Sequence, residues 1–240
     1  MTVNENSRVV IIGGTSGIGL ATARAVVSAG AEVVVGSRRA AAVESALAEL
    51  GPRASGHVVD ASSDDDLTRF FVGVGPFDHL VYTAAENLSS VPLADYTPQI
   101  GFDFLGLRVV HAFNAVRHAV PLIRDGGSIS LMSGSAAWRG GAGWLLGTAA
   151  SGAMVSAVRS LAVELAPIRV NAVAPGVVRS PLWGSMDDED LEEMYRQTGA
   201  GLPLGRVGEV GDIAKAFVAL MDQDWSTGTV SVVDGGTLVA

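Results

Sequence analysis

Seven residues near the start of the chain, Gly13-Gly14-Thr15-Ser16-Gly17-Ile18-Gly19, have the types and spacing of a phosphate cradle. Glycine there lets the backbone turn tightly and approach a pyrophosphate, which the positive end of a following helix attracts. Such a run also makes ordinary turns. Its context gives it meaning, because it follows the β-branched run Arg8–Ile12 and opens into a helical pattern. A second chemical signal is Ser37-Arg38-Arg39, at the end of the next β-branched run. An acid there would bind a ribose 2′-hydroxyl and repel a 2′-phosphate, and arginine does the opposite, so NADP(H) is expected over NAD(H). The plainer reading, an arginine decorating a helix start, places a cation where the helix dipole disfavours it. Metal chemistry has no ligand spacing to support it, since the 4 histidines are scattered and cysteine is absent. The lack of cysteine also removes disulfides and a thiolate nucleophile, and fits a reducing cytoplasm.

The elements that must position these groups follow from composition and pattern. The 240 residues are 48% hydrophobic and 17% charged, which supplies a substantial core and excludes a disordered, collagenous or coiled-coil chain. With no repeat or linker-like break, residues 1–240 are expected to form a single domain. A net charge of −9 leaves no basic footprint for nucleic acid. The N-terminal apolar run is too short for a signal peptide. Residues 140–158 carry no charge but are rich in Gly, Ser and Thr, so they read as a loop entering a buried helix, and a soluble protein without a membrane span is expected. Short apolar runs without polar alternation (RVVIIG, EVVVG, GHVVD, HLVYTA, SISLMS, IRVNAVAP, VSVVDGG) predict strands buried on both faces of a parallel sheet. Helices between them, such as 18–29 and 40–50, are each stopped by glycine. The fold class is therefore α/β: a Rossmann-type, doubly wound, seven-stranded parallel sheet. Its ligand should lie beyond the carboxyl ends of the strands.

The G-x-x-x-G-x-G spacing of Gly13–Gly19 resembles the fingerprint of the short-chain dehydrogenase/reductase family, and the resemblance runs nearly end to end. Asp60-Ala61 is similar to the family's adenine-contacting segment. Tyr82-Thr83-Ala84-Ala85 stands where the family has Asn-Asn-Ala-Gly, keeping only Ala84. Asn171 and the segment Pro175-Gly176-Val177-Val178-Arg179-Ser180-Pro181 resemble the part that holds the nicotinamide carboxamide, and Ser226 to Gly236 resembles the last strand. The resemblance implies a cofactor site built from Gly13, Thr15, Ser16, Gly17, Ile18, Gly19, Arg38, Arg39, Asp60, Ala61, Ala84, Pro175, Gly176, Val178 and Ser180. It also implies a homotetramer or homodimer, through helices around Arg108–His118 and Ala149–Leu165.

The chemistry end departs from the pattern. In the family a Tyr donates the proton, a Lys lowers its pKa, a Ser orients the substrate and an Asn holds a water relay. Counting back from Ser160–Ala166 places Gly147 at the Tyr position and Ser151 at the Lys position, and neither Tyr nor Lys occurs between Tyr96 and Tyr195. Gly134 falls at the Ser position, with Ser133 and Ser135 beside it. Thr97 as helix cap, with Pro121, puts Arg108 at the Asn position; a register with Asp103 there needs an insertion inside a helix. His111, three residues beyond Arg108, shares its face on a regular helix. Arg108, His111 and Ser135 are thus the catalytic candidates, against the plainer readings of a solvated Arg–His pair and a loop-satisfying serine. Trp138, Trp144 and Trp183 fall where they would border a small apolar or aromatic substrate, or simply fill space. Three functions fit: an NADP(H)-dependent oxidoreductase of a carbonyl or alcohol with an unusual proton donor, a redox-silent NADP-binding regulator or inactive subunit, and a non-redox enzyme such as a cyclase or dehydratase.

Overall fold

Val9, Val10, Ile11 and Ile12 are all sealed from solvent, as a strand covered on both faces requires. The same holds for the central strands of the apolar runs that follow, such as Val33–Val35 and Phe77–Tyr82. The computed structural model describes residues 3–184 and 186–240. Its first half runs β1 (Arg8–Ile12), α1 (Gly17–Ser28), β2 (Glu32–Ser37), α2 (Ala40–Leu50), β3 (Ala54–Val58), α3 (Asp64–Val74), β4 (Phe77–Tyr82), α4 (Pro98–Leu105) and α5 (His111–Ala119). The second half runs β5 (Ile123–Met132), α6 (Leu145–Glu164), β6 (Arg169–Pro175), β7 (Val178–Arg179), α7 (Asp188–Ala200), β8 (Gly208–Glu209), α8 (Val210–Asp222) and β9 (Val230–Val233). Seven strands form one parallel sheet in the order β3-β2-β1-β4-β5-β6-β9, while β7 and β8 pair separately. The order reverses between β1 and β4, where a doubly wound sheet opens a crevice.

Alternation along β1 divides the core. Val10 and Ile12 face α3, α5 and α6, while Val9 and Ile11 face α1, α2 and α8. The uncharged stretch becomes the start of α6, long and apolar enough to cross a membrane. Its stripe Leu146, Ala150, Met154, Val158 and Ala162 is buried against the sheet.

Two expectations shift. The third strand begins at Ala54, ahead of the Gly56–Asp60 run that the β-branched pair Val58-Val59 marked. As an edge strand it is half exposed and takes Ala and Ser readily. Strand β5 likewise starts at Ile123, ahead of Ser128, with an irregularity opposite Phe77 and His79.

His79 is fully buried in β4; its Nδ1 lies 2.9 Å from Ser128 Oγ, and its Nε2 has no partner. Burial pushes its pKa from 6.5 down to about 4, with Asp78 opposing the shift. The unfolded chain therefore binds the extra proton first as pH falls. Stability is expected to be full above pH 6.5 and to drop by about 3 kcal/mol as pH falls to about 4. Urea unfolding across that window should show the slope in the parent and lose it in His79→Gln. An equal slope in both would assign the effect to other groups.

Candidate active site

The loop after β1 is shaped by what surrounds it. Gly13 has φ +90°, and a Cβ on it would lie 2.6 Å from the Ala84 nitrogen. Its own N–H donates to the Gly36 carbonyl at 2.9 Å, so the loop is bolted to the ends of β2 and β4. Helix α1 then begins without a side-chain cap from the exposed Ser16 and without an acid in its first turn. The donors of that turn and the positive end of the helix dipole are left for an anion. Ile18 packs into the core, and Thr15 lies partly exposed at the bend. These residues fit a dinucleotide pyrophosphate.

The neighbouring strand ends supply the rest of the groove. Arg38 and Arg39 are exposed after β2, Arg39 as the residue preceding α2. Asp60 accepts from Ser62 N at 2.9 Å and Ser62 Oγ at 2.7 Å, while Ala61 is buried. The Ser62 hydrogen bonds hold the Asp60 carboxyl below its usual range, with smaller help from Arg38 and His111. Gly176 packs on the Asp234 backbone, and a Cβ there would lie 2.9 Å from it. Beyond it Val178 is buried, and Ser180 N donates to the Tyr195 oxygen at 3.4 Å. The Cβ atoms of Ser180 and of a side chain at Gly17 would be 3.9 Å apart, so folding lays the segment after β6 beside the glycine loop.

At the chemistry end, Gly134, Gly147 and Ser151 gather around one space. Ser133 Oγ donates to the Ser151 carbonyl at 2.9 Å, and a Cβ on Gly134 would lie 2.9 Å from Ser151 Oγ. Ser135, buried, opens a short 3-10 turn there. A side chain on Gly147 would meet the Trp144 ring at 3.6 Å, and Trp144 stands edge-on to Trp183 with ring centroids 6.0 Å apart. Trp183 is fixed by its indole N–H to the Val178 carbonyl at 2.9 Å, whereas Trp138 is half exposed. The backbone bonds Leu88 N to Leu182 O and Val91 N to Gly143 O, both 2.8 Å, draw three loops over this space.

Arg108 and His111 do not form the pair that helical spacing predicts. Thr97 does cap α4, accepting from Ile100 N at 3.3 Å, but the helix then widens into a single π turn, Gly106–Val110. Arg108 folds back over the Phe104 ring at 4.0 Å and donates to the Glu86 carbonyl, whereas His111 lies by Gly106 and acts on Asp60, beyond the end of β3. Burial pushes the Arg108 pKa down to about 10, and its Nη1 has no partner. Tyr82, to which residue spacing assigns no role, holds this turn. Its phenol donates at 2.8 Å to the Leu107 carbonyl and so steadies the π turn, a place where helices commonly carry function.

A family model described as enoyl-(acyl carrier protein) reductase matches residues 13–237. The curated short-chain dehydrogenase/reductase ATR9 of Stachybotrys chlorohalonatus is 33% identical over 254 residues, covering 100% of both chains. The chain belongs to the short-chain dehydrogenase/reductase family. Among solved members of the family, a small-chain dehydrogenase in complex with NADPH superposes with a TM-score of 0.82 at 30% identity, over 98% of this chain and 99% of that one. A short chain oxidoreductase from Pseudomonas aeruginosa PAO1, bound to NADPH and described as containing an atypical catalytic center, gives a TM-score of 0.92 at 26% identity over 100% of both. Short-chain dehydrogenase/reductase proteins are an oxidoreductase family acting on small molecules, and the glycine loop, strand order and crevice place this chain in it.

Proposed function

We propose that this protein is an NADP(H)-dependent oxidoreductase acting on the carbonyl or alcohol of a small apolar or aromatic molecule, without the family's Tyr–Lys pair. The observation that carries the reading is the contrast between the two ends of one groove. The cofactor end keeps its loop, its arginines and the Pro175–Ser180 segment, while Gly134, Gly147 and Ser151 meet where the proton donor and its helpers would stand. The NADPH-bound relative with an atypical catalytic center supports the same reading.

When bound, the dinucleotide supplies or accepts the hydride. Gly13–Gly19 would hold its pyrophosphate, Arg38 and Arg39 its 2′-phosphate, Asp60, Ala61 and Ala84 its adenosine end, and Pro175–Ser180 its carboxamide. Trp144 and Trp183 wall the substrate side. Holding the reactants together supplies a larger share of the barrier reduction than acid catalysis does. The proton is taken from water held by the hydroxyls of Ser135 and Ser151, with Arg108 as the fixed cation stabilising developing negative charge. The family's paired-helix homodimer or homotetramer is proposed for the exposed faces of α5 and α6.

Substitution separates the donors. With water as donor, the rate of NADPH oxidation is expected to be unchanged in His111→Ala. A loss of turnover in His111→Ala with dinucleotide affinity intact would transfer the role to His111. Gly147→Tyr with Ser151→Lys tests the silent alternative: NADPH oxidation that appears only in this variant would show a chain that binds the dinucleotide without turning it over.

A further inference from the structure

Arg38 is not a free cation in this groove. Its Nη2 lies 2.7 Å from Glu86 Oε1, with both side chains 53% exposed. Arg38 follows β2 and Glu86 follows β4, and β1 lies between those two strands in the sheet. The ion pair therefore crosses the carboxyl end of β1, over the point where the glycine loop begins. Glu86 is anchored from the other side, because its carbonyl accepts from Arg108 Nη2 on the π turn. Arg39, next in the chain, makes no ion pair among the described residues.

We propose that Glu86 is a cofactor-selectivity residue, whose carboxylate holds Arg38 across the groove so that a 2′-phosphate must displace it to gain that guanidinium. A dinucleotide without the phosphate leaves the pair closed, whereas one with it exchanges one anion for another at Arg38, with Arg39 free to take part. Glu86 thus subtracts from the preference that the two arginines create. This inference rests on the dinucleotide reading of the groove.

Glu86→Gln keeps the size of the side chain and removes its charge. Because Glu86 is half exposed, the variant is expected to unfold at the parental temperature. Titration calorimetry on the full chain should show NADPH bound about two- to five-fold more tightly, because the surface ion pair to Arg38 no longer has to be given up. NADH should change less than about two-fold. In an Arg38→Ala background the gain from Glu86→Gln should vanish. NADPH affinity that stays level or falls, an equal gain for NADH, or a gain that persists without Arg38 would overturn the proposal. If the parent binds neither dinucleotide, the cofactor reading falls and this inference with it; if both bind and only the Glu86 effect is missing, this inference falls alone.

Discussion

Replacing Arg38 and Arg39 together by Ala is expected to weaken NADPH binding about 10- to 150-fold, the range of one lost charge-assisted pair. NADH, with no 2′-phosphate, should lose far less. Both arginines stand at the end of β2, beside the strand that carries the glycine loop, and no acid stands with them on that strand end. Either residue alone should give a smaller loss, because the other remains within the same turn, and Arg38 starts out shared with Glu86. Titration with both dinucleotides checks this. Equal affinities in the parent, or an unaltered ratio in the double variant, would contradict the assignment.

A methyl group at Gly19 is expected to abolish dinucleotide binding and to destabilise the fold by about 3 kcal/mol, the upper range for overpacking. Gly19 is buried at the start of α1, and a Cβ there would lie 2.1 Å from the Gly13 carbonyl oxygen and 2.5 Å from Thr83 Oγ1. Neither can retreat. The Gly13 carbonyl accepts from Thr83 Oγ1 at 3.2 Å, and Thr83 N is itself bonded to the Ile12 carbonyl at 2.8 Å. Gly73 serves as the control, since it lies on the exposed side of α3 with nothing within 4 Å of a Cβ. Gly73→Ala should leave binding untouched and add about 0.5–1 kcal/mol of stability. Thermal unfolding and titration of both variants read the contrast, and a Gly19→Ala protein that unfolds and binds like the parent would refute the packing argument.

The sheet was legible because its strands are buried on both faces and so must be continuous in Val, Ile and Leu, as Val9–Ile12 and Val33–Val35 are. The edge strand β3 obeys that rule least, so its β-branched residues mark its end and not its start at Ala54. The glycine loop was legible from its position between a strand and a helix. The π turn was not: a widened turn between Gly106 and Val110 leaves no mark in hydrophobic periodicity, yet on it Arg108 turns to Phe104 and Glu86 while His111 lies by Gly106. Glu86 was equally silent, a single acid in an irregular loop. Its partner Arg38 lies 48 positions earlier, and only the placement of β1 between β2 and β4 brings the two together. Tyr82 stands out in the sequence as a departure from the family's Asn, but its hydrogen bond to Leu107 depends on that same turn.

The most direct measurement is the loss of reduced-nicotinamide absorbance when the parent protein meets NADPH and a broad panel of ketones and aldehydes, with apolar and aromatic members included. Hydride transfer by this groove predicts turnover on at least one of them, faster with NADPH than with NADH. Turnover should survive in His111→Ala and be lost when Arg38 and Arg39 are both replaced at NADPH concentrations that saturate the parent only just. A parent that binds NADPH tightly by titration and oxidises it with no member of the panel, while Gly147→Tyr with Ser151→Lys gains activity, would contradict an oxidoreductase and leave a dinucleotide-binding protein.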